Sequence, residues 1–335
     1  MNKQELSATA NAMVADNKGL LAADESTGTM GKRLDSIGVE NVEDNRRDYR
    51  EMMFRSDGIG NYISGVILYD ETLRQNAADG TPFAKLLNDA GVIPGIKVDM
   101  GAKDLPGRPA EKITEGLDGL PGRVEEYYNL GARFAKWRAV IDIADGIPSR
   151  YAIHTNAHAL ARYAKICQEG GLCPIVEPEV LMDGSHDINR CQEVTEEVLD
   201  VVYNELYLQE VYLEGSILKP NMVISGKKCA TQASADEVAA KTVETLKRCV
   251  PSAVPGIMFL SGGQSEEDAT VHLDLMNAMG SLPWGLSFSY GRALQQSALQ
   301  AWKGEAANNA AAQAAFIERA MANSQACAGT YSKAA

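Results

Sequence analysis

The sequence predicts an α/β chain folded as a single (β/α)8 barrel, a TIM barrel, and three observations carry that prediction. Eight short apolar runs recur along the 335 residues, stretches of helical period separate them, and the charged residues in these runs gather towards their C-terminal ends. Strands alternating with helices make a parallel sheet, and eight such units close into a barrel whose reactive end is the C-terminal end of the strands.

In chain order, the expected strands are GLLAAD (19–24), YISGVILYD (62–70), VIPGIKVD (92–99) and FAKWRAVIDI (134–143). They continue with LCPIVEPEV (172–180), VYLEGSILKP (211–220), GIMFLSGG (256–263) and WGLSFSYG (284–291). Between them, SHDINRCQEVTEEVLDVVYNELYLQ and ASADEVAAKTVETLKRCV read as amphipathic helices with Ser or Asp near their starts. A helical segment precedes the first strand, and a C-terminal helix with a short tail is expected over 292–335, GEAANNAAAQAAFIERAMANS being its helical part. No short-period repeat or low-complexity linker interrupts the chain, so one domain over 1–335 is expected.

Composition is that of a globular protein, 45% hydrophobic and 23% charged. A net charge of −13 argues against a nucleic-acid partner, whose footprint is basic. It leaves room for a small anionic ligand in a locally basic cleft. The six cysteines form no CxxC pair and read as reduced thiols. No run of about 18 apolar residues signals a membrane span, and MNKQELSATANAMVADNKG has no apolar h-region, so a cytoplasmic protein is expected.

The charges in the strands follow a rule. Residues two apart on a strand share a face. Lys136 and Arg138 form one such pair, Glu177 and Glu179 a second, and Lys97 and Asp99 a third; Asp24 lies two beyond Ala22. Lys219 ends an apolar run bounded by Pro220. Together they predict a shared charged pocket at the C-terminal end of the barrel. A lysine among Leu213, Ile217 and Leu218 is disfavoured as a cation by burial, and a neutral amine traps carbonyls as a Schiff base.

Phosphate is the expected handle. LSGGQS places Ser261, Gly262 and Gly263 at the end of the seventh strand, and SYGRAL places Gly291 and Arg292 at the end of the eighth. Glycine backbones approach an anion closely, and the following helix N-termini favour negative charge. The four histidines show no metal-ligand spacing: His154 and His158 lie four apart without the acid of an HExxH motif, so no metal and no cofactor are expected.

At this point the stretches GLLAADESTGTMGKRL, GIKVD, FAKWR, IVEPE, LEGSILKPNMV, FLSGGQSEE and PWGLSFSYGRALQ, in that order over residues 19 to about 295, resemble the class I, Schiff-base-forming fructose-1,6-bisphosphate aldolases. The resemblance implies a (β/α)8 barrel and a homotetramer. It implies Lys219 as the Schiff-base lysine, with Asp24, Lys136, Glu177 and Glu179 as catalytic neighbours. Ser261, Gly262 and Arg292 correspond to binders of the ketose C1 phosphate. By the same resemblance, Ser26, Thr29 and Lys97 match positions near the other phosphate, and Arg33 matches a further basic residue on the substrate side. Thr29 stands where the family often has serine.

The chemistry explains these residue types. Cleaving C3–C4 of the ketose leaves a carbanion, which a protonated Schiff base at C2 converts into an enamine. Lys219 has to be neutral to attack, and burial and Lys136 are both expected to lower its pKa. Glu177 is expected to shuttle protons with a raised pKa, Asp24 to take the C4 hydroxyl proton, and Lys136 to hold developing negative charge. Arg138 presents a planar fork on the same strand face. Many relatives extend into a tail that ends in a tyrosine; here Tyr331 is the nearest aromatic to the end and is expected only to pack beside the terminal helix.

Two other functions fit the same residues. One is another Schiff-base aldolase or a transaldolase-like enzyme acting on a phosphorylated ketose; two phosphate sites favour a bisphosphate. The other is a non-catalytic phosphosugar-binding protein, which forms no covalent adduct. A metal-dependent aldolase is separated by sensitivity to chelators.

Overall fold

The computed structural model describes residues 1–332. Its strands are β1 (Gly19–Ala23), β2 (Ile63–Leu68), β3 (Ile93–Lys97), β4 (Ala102–Leu105) and β5 (Arg108–Thr114). They continue with β6 (Phe134–Ile141), β7 (Cys173–Val180), β8 (Ile217–Leu218), β9 (Gly256–Phe259) and β10 (Gly285–Tyr290). Eight of them close into a parallel barrel in the order β1, β2, β3, β6, β7, β8, β9, β10, with β10 returning to β1. The remaining two, β4 and β5, form a separate antiparallel hairpin.

Helices surround the barrel. Before β6 they are α1 (Lys3–Met13), α2 (Thr27–Asp35), α3 (Glu43–Phe54), α4 (Asp70–Arg74), α5 (Phe83–Asp89) and α6 (Leu120–Asn129). After it come α7 (Arg150–Glu169), α8 (Ile188–Leu208), α9 (Ala235–Cys249), α10 (Glu266–Ala278), α11 (Arg292–Trp302) and α12 (Asn309–Cys327). Their starts are written in the sequence. Ser149, Asp187, Ser234 and Ser265 each precede a helix and accept the backbone N–H three residues on, at 2.9–3.2 Å. Each such cap stabilises its helix by about 1 kcal/mol.

Three elements depart from expectation. The sixth barrel strand, expected over 211–220, has only two residues, because a 3-10 turn at Leu213–Gly215 precedes it and Pro220 stops the ladder. The hairpin of β4 and β5 was not foreseen, although LPGR between them is a turn signal. The helix expected over 292–335 is two helices. Lys303 and Gly304 both have positive φ, and a side chain at Gly304 would meet Val39 at 2.5 Å, so the chain turns there before α12. The last residues of the expected tail, 333–335, lie outside the described residues.

Two cores share the chain. The larger lies between strands and helices, with Trp137, Tyr163, Phe259 and Phe316 fully enclosed. The smaller fills the lower barrel, where Leu20, Ile67, Phe134, Ile175, Ile217 and Met258 meet Leu6, Ala10 and Met13 of α1. Helix α1 therefore plugs the N-terminal end of the barrel. Phe134 fits only because the neighbouring strand has no side chain at Gly95, where a Cβ would come 2.1 Å from the ring.

Tyr331 sits at the plugged end. Its backbone N–H donates to Asp274 at 2.8 Å, and nearby Asn277 of the same helix donates to the carbonyl of Leu286, early in β10. Tyr331 packs on the main core there, at the end of the barrel remote from Lys219.

Gly95→Ala is expected to destabilise the fold by about 1–3 kcal/mol through overpacking, read as a lower urea midpoint with an unchanged slope. Adding Phe134→Leu should recover part of the loss. Equal midpoints for Gly95→Ala and the parent would show that the barrel floor is looser than its geometry.

Candidate active site

The upper barrel is lined with charge, and the pleat explains why. Lys136 and Arg138 alternate inward on β6, as do Glu177 and Glu179 on β7, the two strands being paired side by side. Asp24 follows β1, and Lys219 follows β8. The backbone N–H of Lys219 donates to the carbonyl of Val176 at 2.8 Å, which sets the lysine level with Glu177.

These side chains form one alternating chain. Lys136 Nζ lies 2.9 Å from Asp24 Oδ2 and 2.8 Å from Glu177 Oε2, and Lys219 Nζ lies 3.1 Å from Glu177 Oε1. Lys136, Glu177 and Lys219 are buried, each at most 4% exposed. Burial, the largest influence on Lys219, pushes its ammonium pKa down; Glu177 pulls it up, Lys136 pushes it down again, and the net direction is down. For Lys136, burial is opposed by Asp24 and Glu177, which hold it firmly protonated. Burial raises Asp24, but the ammoniums of Lys136 and Lys219 outweigh it and keep the carboxyl far below its usual range.

Glu177 corrects an expectation. A raised pKa was expected from its role; burial does push it up, but Lys136, Lys219 and Arg138 together bring it below its ordinary value. It is therefore held as a carboxylate.

The remaining expected residues border the same cavity of 740 Å3. Arg138 Nε pairs with Glu179, whose other oxygen lies against Gly262. Lys97 pairs with Asp99 at 3.2 Å, its ammonium 5.8 Å from the centre of the Tyr69 ring. Ser26 caps α2 by accepting the N–H of Thr29 at 3.4 Å, and Arg33 pairs with Glu25 at 3.0 Å. Ser261 and Gly262 precede α10, and Arg292 opens α11, donating weakly to the carbonyl of Gln264 at 3.4 Å.

Eight cationic side chains line the cavity against five carboxylates, reversing the sign of the chain as a whole. Among the described residues only Lys32 and Arg292 of the eight have no carboxylate partner, so the walls hold two uncommitted cations. Such a cavity suits a small ligand with anionic ends. His154 and His158 instead lie exposed on the outer face of α7.

Sequence reasoning missed Lys32, Glu25, Gln295 and Ser289. Lys32 stood beside Arg33 in GKRL. Gln295 donates to Ala22 O and to Glu25 Oε1, holding the loop after β1 from behind, and nothing in its helix marks that role. Ser289 is buried in the cavity wall with a hydroxyl that has no partner among the described residues. Its signal was the alternation SFSY, with serines on one face and aromatics on the other.

Comparison with known proteins agrees with this arrangement. A model of the family "Fructose-bisphosphate aldolase class-I" matches residues 5–335. A probable fructose-bisphosphate aldolase class 1 of Xanthomonas campestris pv. campestris is 58% identical over 332 residues, covering 99% of each chain. Fructose-bisphosphate aldolase 4, cytosolic, of Arabidopsis thaliana is 56% identical, covering 98% of this chain and 84% of its own. The structure of fructose-bisphosphate aldolase from Plasmodium falciparum, in complex with TRAP and a small-molecule inhibitor, superposes with a TM-score of 0.98 at 50% identity over 99% of this chain and 96% of that one. With its closed barrel, its buried lysine and these matches over nearly the whole chain, the protein belongs to the class I fructose-bisphosphate aldolase family, whose members cleave fructose 1,6-bisphosphate through a lysine Schiff base.

Proposed function

We propose that Lys219 is the residue that forms the Schiff base, and that the ion chain Asp24–Lys136–Glu177–Lys219 carries the protons of the reaction. The observation that supports this most is the contact of Lys219 Nζ with Glu177 Oε1 at 3.1 Å inside a buried wall. Glu177 takes a proton from the Lys219 ammonium, freeing the amine to attack C2 of the ketose. The amine passes one of its own protons to the C2 oxygen, Glu177 returns the proton it took, the doubly protonated oxygen leaves as water, and a cationic iminium forms. Asp24, kept ionised by Lys136, takes the proton of the C4 hydroxyl as the C3–C4 bond breaks. The bonding pair passes to C3 and is delocalised onto the iminium nitrogen as an enamine, while glyceraldehyde 3-phosphate departs. Protonation at C3 and hydrolysis then release dihydroxyacetone phosphate and restore Lys219.

The phosphates are assigned to two sets of residues around the cavity. Ser261, Gly262 and Arg292 hold the C1 phosphate, with the N-termini of α10 and α11 behind them. Ser26, Thr29, Lys97 and Arg33 serve the far phosphate, Lys32 adding an uncommitted charge. Arg138, held by Glu179, faces the carbon chain between them.

We also propose a homotetramer in the cytoplasm as one domain spanning 1–335. Supporting the assembly, Tyr207 is 80% and Leu208 61% exposed at the end of α8. No helix among the described residues is long and apolar enough to cross a membrane.

Borohydride reduction in the presence of dihydroxyacetone phosphate, followed by peptide mapping, is expected to leave one stable adduct, on Lys219. A label on another lysine, or none, overturns the assignment.

Lys136→Met removes a cation that lowers the pKa of Lys219, so that pKa rises, less amine is neutral at a given pH, and trapping moves to more alkaline pH. It should also lower kcat by about 100-fold or more, since one electrostatic group at a reacting centre is worth roughly 10²–10³. Lys136→Arg keeps the charge and should keep the trapping profile near that of the parent. An unshifted profile in Lys136→Met refutes the coupling.

Arg292→Gln is expected to raise KM for fructose 1-phosphate about tenfold or more, the loss of one charge-assisted phosphate contact. An unchanged KM removes Arg292 from the C1 site.

A further inference from the structure

One ion pair at the cavity mouth takes no part in the scheme above. Lys227 Nζ lies 2.8 Å from Asp183 Oδ1, and both residues line the cavity. Their side chains are 46% and 59% exposed, so water competes for both partners and the pairing is weak.

The backbone beneath Lys227 is firmly placed. Its N–H donates to Met182 O at 2.7 Å, and the flanking N–H groups of Gly226 and Lys228 donate to His186 O and Gly184 O at 2.9 and 3.0 Å. A Cβ at Gly226 would lie 2.3 Å from Gly184 O, so the two loops touch backbone to backbone. Met182 leans in turn on the C1-phosphate loop: a Cβ at Gly262 or Gly263 would meet its side chain at 2.4 or 2.2 Å. The stem of Lys227 thus rises from a fixed wall packed against that loop, and its ammonium is committed only to a solvent-exposed carboxylate.

We propose that Lys227 is a further substrate-binding residue for the reaction, exchanging Asp183 for the C1 phosphate of the ketose when substrate binds. A phosphate dianion offers more charge and more acceptor oxygens than the single oxygen of Asp183 it replaces. Asp183 is the resting partner: it holds the ammonium at the mouth of the cavity and competes with substrate. The inference rests on the assignment of the C1 phosphate to Ser261, Gly262 and Arg292, and the test separates the two.

Steady-state kinetics on fructose 1,6-bisphosphate and fructose 1-phosphate decide it, with Lys227→Met, Lys227→Arg, Asp183→Asn, the double variant Lys227→Met/Asp183→Asn, and Arg292→Gln as the control. Lys227→Met is expected to raise KM about fivefold on both substrates with kcat within about twofold, the pattern of a lost binding contact. Asp183→Asn should lower KM, the double variant should match Lys227→Met, and Lys227→Arg should restore binding. If Arg292→Gln raises KM for fructose 1-phosphate and Lys227→Met does not, the role of Lys227 fails while the C1 site stands. A rise confined to the bisphosphate moves Lys227 to the far phosphate, and equal rises for Asp183→Asn and Lys227→Met reduce the pair to a loop clasp; either result overturns the proposal. An unchanged fructose 1-phosphate KM in Arg292→Gln defeats the C1 assignment itself.

Discussion

The contact of Lys136 with both Asp24 and Glu177 governs the upper barrel. Buried charges are costly unless paired, and losing one partner of a buried pair costs about 3–5 kcal/mol. Lys136 meets this constraint for two carboxylates at once. It keeps Asp24 and Glu177 ionised and makes a second ammonium nearby unfavourable, so Lys219 is the member of the chain most ready to lose its proton. One cation thus sets three protonation states.

The lower barrel makes such a wall possible. With α1 plugging one end and Phe134 filling the floor, the ion chain is closed off from below and faces the cavity above. The electrostatic contacts therefore act in a dry, one-sided setting, where they are stronger than at the surface. At the opposite end Cys327 of α12 donates to Ser287 of β10, while Asn277 and Asp274 of α10 hold Ala326 and Tyr331.

Much of this was legible because two periods do not interfere. The strand pleat announced Lys136 with Arg138 and Glu177 with Glu179, and helix caps such as Ser234 and Ser265 marked where strands had ended. The hidden parts depend on distance across the chain. That Glu177 sits between two ammoniums, and so lies below its usual pKa despite burial, follows from β7 lying between β6 and β8 and cannot be read from IVEPE. Gln295 supports the loop after β1 from 273 residues away. The brevity of β8 was masked by the apolar character of LEGSILKP, whose first residues make a 3-10 turn instead of a ladder.

That brevity has a consequence for how the chain tolerates changes of length. Only Ile217 and Leu218 pair with β7, and the position of Lys219 is anchored by a single amide on Val176. Residues before Ser216 lie in a turn outside the barrel ladder, so insertions or deletions there are absorbed by loop geometry and leave the register intact. One residue added between Ser216 and Lys219 acts differently. It turns every following side chain to the opposite face, carrying the amine from the cavity into the layer of helices. The segment is therefore elastic on one side and rigid on the other, and the boundary between the two falls within four residues of Lys219.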